Sequence, residues 1–288
     1  MWFNTPAIAA LIDLALQEDI GVGDAATDAT VGADQHGEAV VRAKADLIFA
    51  GGPIFAAVVR RVDPEVRVTL MVGEGQRVTA GTVAISLQGR LASILLAERT
   101  GLNFLSRISG IATATQAAVA AVAHTSCTIL DTRKTLPGFR SLDKYAVRAG
   151  GGGNHRSALD SGVLLKENHV TAAGGVSAAV RAAKASAAHL LKVEVEIERL
   201  DQLESAIAAG ADLVMLDNMD LAQMRSAVGL ASGRVQLEAS GNMTLERLAA
   251  VAETGVDFIS IGGLTHSVRA ADLSLRVVNA DSTATGAA

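Results

Sequence analysis

Short apolar, β-branched runs that end in polar residues or glycine recur through the second half of the chain, at residues 128–131, 163–166, 192–196, 213–217, 235–240 and 258–262. Helical patterns separate the last four, at residues 200–209, 221–228 and 245–254. Strands alternating with helices at this spacing predict βαβ units and a parallel sheet. The regular steps favour winding around into a barrel over an open sheet. Arg133 and Lys134, Lys166, Glu196, Asp217, Ser240-Gly241 and Gly262-Gly263 all stand at or just past a strand's C-terminal end. In an α/β barrel that rim is where catalytic and phosphate-binding groups converge.

The first part reads differently. Residues 7–19 predict an amphipathic helix through Ile8, Leu11, Ile12 and Leu16, closed by Gly21 and Gly23. Strand-like runs follow at 38–43, 48–50, 66–71 and 83–88, with the glycines around Glu74 reading as a hairpin bend. A helical stretch at 91–109 leads onward, and the Ala-rich segment 110–123 reads as a buried helix. The expected architecture is an α/β chain: an N-terminal α+β sandwich domain over 1–110, packed on an incomplete, about six-stranded parallel α/β barrel over 111–267. The chain end near 268–288 is expected to return to the first domain.

Composition narrows the function classes. Half of the 288 residues are apolar and only 3% aromatic, with the balance toward Ala and Gly, which excludes a disordered chain. One cysteine, Cys127, leaves no intrachain disulfide and no multi-cysteine zinc site, so a cytoplasmic location is expected. Cys127 stands beside an apolar run and reads as a buried strand residue. The segment Met1-Trp2-Phe3-Asn4-Thr5-Pro6 has no basic start and predicts no secretory signal. No uninterrupted apolar segment reaches bilayer-spanning length.

Charge changes the picture most. The chain nets −5, yet residues 131–166 hold seven Lys or Arg against three Asp. A cationic island in an acidic chain points to a small polyanion and away from nucleic acid, which calls for a basic balance over a whole domain. Arg133, Arg156 and Lys166 are candidate carboxylate or phosphate clamps, because guanidinium offers a planar fork of donors. The glycine run 150–153 either brings backbone N–H groups to an anion or is a flexible connector. His155 is a candidate hydrogen-bond or proton donor, whereas capping or packing accounts equally well for His169 and His266. Glu196 and Asp217, ending adjacent strands, suit Mg²⁺ held through water, or sugar hydroxyls. Glu194 shares the facing of Glu196, and which of the two meets the metal stays open. Ser240-Gly241-Asn242 and Gly262-Gly263 suit a phosphate cradle or tight turns.

Several blocks in order carry a resemblance over nearly the whole chain: Asp131-Thr132-Arg133-Lys134-Thr135-Leu136-Pro137-Gly138, Lys144-Tyr145-Ala146-Val147-Arg148, Gly151-Gly152-Gly153-Asn154-His155-Arg156, Lys166-Glu167-Asn168-His169, Glu194-Val195-Glu196, Leu216-Asp217-Asn218, Ser240-Gly241 and Gly262-Gly263-Leu264-Thr265-His266-Ser267. The chain resembles the quinolinate phosphoribosyltransferase family (nicotinate-nucleotide pyrophosphorylase, carboxylating). The resemblance implies conversion of quinolinate and phosphoribosyl pyrophosphate, with Mg²⁺, to nicotinate mononucleotide, pyrophosphate and CO₂ in NAD biosynthesis. It implies a homodimer in which Arg99, by its residues alone a helix-surface charge, completes the partner's site. It implies substrate contacts from Thr132, Arg133, Lys134, His155, Arg156, Lys166, Glu196, Asp217, Ser240, Gly241, Asn242, Ile261, Gly262 and Gly263, with Lys134, Lys166, Glu196 and Asp217 in the chemistry.

Departures from the family pattern are small: Asn242 and Gly263 where many relatives carry Gly and Ala, Ala158 after His155-Arg156, and Ala25-Ala26 after Gly23-Asp24. Three rivals predict other outcomes. A pyrophosphorylase-like paralogue tied to molybdenum transport conflicts with the intact 154–156 and 166–169 segments. An aldolase using Lys166 as a Schiff base needs a desolvated lysine. A binding module predicts ligand uptake without pyrophosphate release.

Overall fold

The computed structural model describes residues 5–281, so residues 1–4 of the N-terminal segment that predicts no secretory signal, and residues 282–288 of the chain end expected to return to the first domain, lie outside the described part. Two compact units form: one from residues up to Thr113 together with those from Val268 on, the other from Ala114 to Ser267.

The first unit opens with α1 (Pro6–Ile20), started by the Thr5 hydroxyl accepting from Ile8 N–H and ended by Gly21 at φ +56°. Ile8, Ile12 and Leu16 recur every fourth residue and form its buried stripe. Next come α2 (Ala25–Thr30), capped by Asp24, then β1 (His36–Ala43) and β2 (Leu47–Phe49). Helix α3 (Gly52–Val62) is not among the elements expected above, although Ile54, Phe55, Val58 and Val59 stand at helical spacing. The Glu74 carboxylate accepts from the N–H groups of Gly51 and Gly52 at 2.7 and 2.9 Å, serving the helix's orphan donors from a distant loop. Strands β3 (Arg67–Leu70), β4 (Gln76–Val78) and β5 (Val83–Arg90) precede α4 (Leu91–Val122). The two helical segments expected at 91–123 are thus one 32-residue helix, running on through Gly110. Gly110 is needed for proximity: a Cβ there would lie 2.2 Å from the Arg269 carbonyl oxygen.

The second unit runs β6 (Thr128–Leu130), α5 (Arg140–Ala149), β7 (Val163–Leu165), α6 (Glu167–Ala172), α7 (Val176–Ser186), β8 (Val193–Ile197), α8 (Asp201–Ala208), β9 (Leu213–Asp217), α9 (Leu221–Ala231), β10 (Gln236–Ser240), α10 (Leu245–Ala252), β11 (Phe258–Ser260) and α11 (Gly263–His266). Its sheet is parallel in the order β6-β11-β10-β9-β8-β7. Chain order is kept around the ring, and the described strands leave it unsealed between β6 and β7. This is an incomplete six-stranded α/β barrel. Val193, Val195 and Ile197 of β8, Val214 and Leu216 of β9, and Leu237 and Ala239 of β10 are buried apolar residues. The intervening Glu194 and Glu196, Met215 and Asp217, and Glu238 and Ser240 take the other face.

The last strand, β12 (Leu273–Ala280), pairs antiparallel with β1. It completes the first unit's β12-β1-β5-β3 sheet; β2 and β4 form a separate pair.

One buried ion pair organises the segment that supplies the cationic island. Asp131 is fully buried just past β6 and accepts from the Lys144 ammonium on α5. It also accepts from the Asn154 amide and, at 2.9 Å, from His155 N–H. Lys144 reaches on to the His155 carbonyl at 2.8 Å. Burial pushes Asp131 up and Lys144 down, with their mutual attraction opposing both shifts. Arg140 ties the loop after β6, donating to Thr135 Oγ1, the Arg133 carbonyl and the Ser157 carbonyl at 2.6, 3.0 and 2.7 Å. The glycine run is neither a connector nor an anion cradle. All four N–H groups of 150–153 donate to carbonyls, of Ala146, Arg148, Val147 and Ile129. A Cβ at Gly152 or Gly153 would come within 2.8 Å of Thr115 and Val147, or 2.7 Å of Leu130.

Two substitutions test these constraints in chemical denaturation. Gly110→Ala, a change that adds about 1 kcal/mol in an ordinary helix, is expected to lower stability by about 1–3 kcal/mol through overpacking against backbone. Lys144→Met is expected to cost about 3–5 kcal/mol, because Asp131 is left as an uncompensated buried charge.

Candidate active site

A cavity of about 390 Å³ opens at the C-terminal ends of the barrel strands. Eleven of the residues expected at the site line it: Thr132, Arg133, Lys134, His155, Arg156, Lys166, Glu196, Asp217, Ser240, Gly241 and Asn242. Leu164, Met215, Asn218 and Ser260 line it as well. Ile261, Gly262 and Gly263 do not. Ile261 is buried, and the Gly262–Gly263 pair starts α11. Gly262 still shapes the site, since a Cβ there would lie 2.9 Å from Lys134 Cδ. The Thr265 hydroxyl donates to the Lys134 carbonyl at 2.8 Å and fixes that loop. Arg99 is an exposed residue of α4 in the first unit and is not one of the lining residues.

The cationic wall is short of acceptors. Arg156 donates through Nη1 to the Gly162 carbonyl at 3.1 Å. The Nε of Arg133 and the Nε of Arg156 are both buried with no hydrogen-bond partner within the protein. Burial, and then the neighbouring Arg133 charge, lower the pKa of Arg156. Two close guanidiniums, each with an unmet donor, make a receptor for a ligand with two carboxylates or a phosphate.

The acids line the same cavity. Lys166 donates to Glu196 at 2.8 Å. Burial, then the adjacent Glu196 charge, raise the Asp217 carboxyl above its usual range. Hard oxygen donors that repel one another suit a hard divalent cation such as Mg²⁺. Near the β9 and β10 rims, Asn218, Gly241 and Asn242 adopt φ of +55°, +94° and +50°. A Cβ at Gly241 would lie 2.1 Å from Asn218 Oδ1 and 3.1 Å from its backbone nitrogen, so at φ +94° glycine is strongly favoured.

His155 is engaged on both sides. Its Nδ1 accepts from Arg156 N–H at 2.7 Å, and its Nε2 lies 3.0 Å from Glu194 and 3.7 Å from Glu238. Burial disfavours the charged ring; the Glu194 hydrogen bond and the Glu238 charge outweigh it and raise the pKa. Burial, with Glu194 beside it, pushes Glu238 up to about 8. Among the described residues this trio is the one His/Asp/Glu/Cys cluster close enough to surround an ion. Glu238 escapes a reading that stops at strand ends. The usable signal was its alternation with Ser240, the same two-residue step that separates Glu194 from Glu196.

The remaining candidates are structural. His169 Nδ1 accepts from Lys166 N–H at 3.0 Å, and His266 Nδ1 pairs with the Ser267 hydroxyl. Cys127 is buried, and burial pushes its thiol up to about 12, which removes it as a nucleophile. Among the described residues no helix is long and apolar enough to cross a membrane.

Comparison with known proteins agrees over the chain's length. Residues 24–109 match the quinolinate phosphoribosyl transferase N-terminal domain and residues 111–276 its C-terminal domain. The chain is 42% identical over 289 residues to the tobacco (Nicotiana tabacum) quinolinate phosphoribosyltransferase (decarboxylating) 1b, covering 94% of this chain and 82% of that one. The solved nicotinate-nucleotide pyrophosphorylase of Francisella tularensis is 42% identical, with a TM-score of 0.90 over 94% of this chain and 96% of the other. NadC of Streptococcus pyogenes gives 38% identity and a TM-score of 0.91 over the same shares. By both domain matches and by these relatives, the chain belongs to the quinolinate phosphoribosyl transferase family.

Proposed function

We propose that the chain is a carboxylating nicotinate-nucleotide pyrophosphorylase. It would convert quinolinate and phosphoribosyl pyrophosphate to nicotinate mononucleotide, pyrophosphate and CO₂ in NAD biosynthesis. The observation that carries the reading is the pair of buried, unpartnered guanidinium nitrogens of Arg133 and Arg156, in residues that line one cavity with the carboxylates of Glu196 and Asp217. A dicarboxylate and a polyphosphate-bearing sugar need those two kinds of wall.

Arg133 and Arg156 bind the quinolinate carboxylates and orient the pyridine nitrogen toward the anomeric carbon of the sugar. The new C–N bond forms as the C–O bond to pyrophosphate breaks, and negative charge collects on the leaving group. Lys134, whose side chain is exposed and whose backbone is fixed by Thr265, meets that charge. Glu196 and Asp217 would hold Mg²⁺ through water, and the ion supplies further charge neutralisation for pyrophosphate. Lys166 keeps Glu196 aimed into the cavity. The ring nitrogen is then quaternary, so the electron pair of the breaking C–CO₂⁻ bond is stabilised beside it, and a proton from solvent completes the product. Ser240-Gly241-Asn242, with Gly241 and Asn242 at positive φ, suits the sugar's 5-phosphate.

We further propose a homodimer in which Arg99, exposed on α4, reaches the site of a second copy. A cytoplasmic, reducing setting suits the single buried thiol of Cys127.

Turnover is tested by mixing the protein with quinolinate, phosphoribosyl pyrophosphate and Mg²⁺ and following nicotinate mononucleotide. Nicotinate accepted in place of quinolinate would overturn the assignment, and a chelator is expected to abolish turnover until Mg²⁺ is restored. Arg133→Ala is expected to weaken quinolinate binding about 100-fold, the loss of charge-assisted bonds, with the fold intact by circular dichroism. For the dimer, Arg99→Ala and Lys134→Ala are each expected to be nearly inactive. Their mixture should recover about a quarter of wild-type activity through hybrid dimers with one whole site; no recovery would place Arg99 outside the partner's site.

A further inference from the structure

Arg140 is a cation in a place that disfavours one. It is the first residue of α5, where the helix dipole favours negative charge and where Asp143 supplies it. Three neutral oxygens hold its half-buried guanidinium, each on a different nitrogen. Nε donates to Thr135 Oγ1 at 2.6 Å, Nη2 to the Arg133 carbonyl at 3.0 Å and Nη1 to the Ser157 carbonyl at 2.7 Å. Two of these acceptors belong to different loops. The Arg133 carbonyl lies in the loop after β6, and the Ser157 carbonyl lies in the segment that follows Arg156.

Those carbonyls adjoin the two arginines whose Nε donors are unmet. Asp131 stands two residues before Arg133, and it accepts from His155 N–H just before Arg156. Arg140 closes the other side of each, at the Arg133 carbonyl and one residue past Arg156. Each of these arginines is therefore suspended between two anchors. The segment past Arg156 is itself a compact turn, in which Ser161 Oγ accepts from the N–H groups of Ser157 and Ala158 at 2.9 and 2.8 Å. Arg140 grips a turn that already has a shape.

We propose that Arg140 is a positioning residue of the cationic wall: its fork cross-links the two loops, sets the separation of the Arg133 and Arg156 guanidiniums, and so matches them to a ligand with two carboxylates. Arg140 is not one of the residues lining the cavity, and it acts through the two that are. Lysine cannot take its place. An ammonium directs all its donors from one atom, whereas the three acceptors here meet three nitrogens of a rigid plane. Lys134 has a separate anchor, since the Thr265 hydroxyl donates to its carbonyl. The effect of Arg140 therefore falls on the dicarboxylate and spares the phosphoribosyl donor.

The identity of the dicarboxylate rests on the proposed activity; the cross-link does not. Arg140→Lys, which keeps the charge, is compared with Arg140→Ala in the full-length protein. Both are expected to raise the KM for quinolinate, and its Kd by calorimetry, about tenfold, the order of one charge-assisted hydrogen bond. The KM for phosphoribosyl pyrophosphate is expected to stay near the wild-type value. Wild-type affinity for quinolinate in Arg140→Lys would overturn the role of the fork, and equal losses for both substrates would overturn the positioning role. The second arm needs neither ligand nor turnover. Amide hydrogen exchange, followed by mass spectrometry, is expected to quicken in Arg140→Lys over residues 132–139 and 156–162 together, while β8 to β10 keep their protection. Unchanged exchange in either segment would refute the cross-link whatever the enzyme turns over. Both segments loosened in the variant, with a wild-type protein that fails to bind quinolinate, would support the cross-link and count against the activity alone.

Discussion

The site depends on a charge pair that never touches the substrate cavity. Asp131 and Lys144 are both buried, and each is too costly to bury alone. Their attraction welds the end of β6 to α5, and the spare valences of the same two groups take up Asn154 and His155. Arg133 and Lys134 follow Asp131 directly in the chain, and Arg156 follows His155. Three of the cavity's cations thus inherit their positions from one buried carboxylate. An exposed ion pair, screened and mobile, could not do this. Desolvation, usually a penalty, here supplies directional rigidity.

The barrel was readable because its strands obey two rules at once: short runs rich in buried aliphatic and β-branched residues, and a chemically marked last residue. The six strands expected from those runs match β6 to β11 within two residues at each end. Helix α5 was not readable. Its buried face carries Asp143 and Lys144 among Leu142, Ala146 and Val147, so charge on the inside defeats an apolar periodicity. Helix α3 carried its own signals, Ile54, Phe55, Val58 and Val59 at helical spacing with Pro53 in the first turn, but the Gly51-Gly52-Pro53 that opens it reads equally as a turn. The cationic island was legible as a site but overcounted. Arg140 and Lys144 are consumed by carbonyls and by Asp131, and the ligand-facing charge is carried by the residues whose donors remain unmet. Glycines 150–153 misled for a related reason. Glycine marks both exposed N–H groups and tight packing, and only the three-dimensional neighbours show that here every N–H is already taken.

Alternation explains how one sheet serves both core and chemistry. Along β8, β9 and β10 every second residue is aliphatic and buried, while those between step upward from Glu194, Met215 and Glu238 to Glu196, Asp217 and Ser240. Glu196, Asp217, Ser240 and Met215 face the cavity, whereas Glu194 and Glu238 do not line it. A one-residue slip of β8 would exchange the cavity-lining Glu196 for Val195 or Ile197, so register here is enforced by the cavity's chemistry as well as by burial.

The two open guanidinium nitrogens have a thermodynamic side. A buried donor without an acceptor lowers the stability of the native state, and a bound dianion that satisfies both Arg133 and Arg156 returns that loss. Ligand occupancy and resistance to unfolding are thereby linked. Were the proposed dicarboxylate to bind there, resistance to unfolding would rise with its concentration, and abundance could follow metabolite supply with no dedicated regulator.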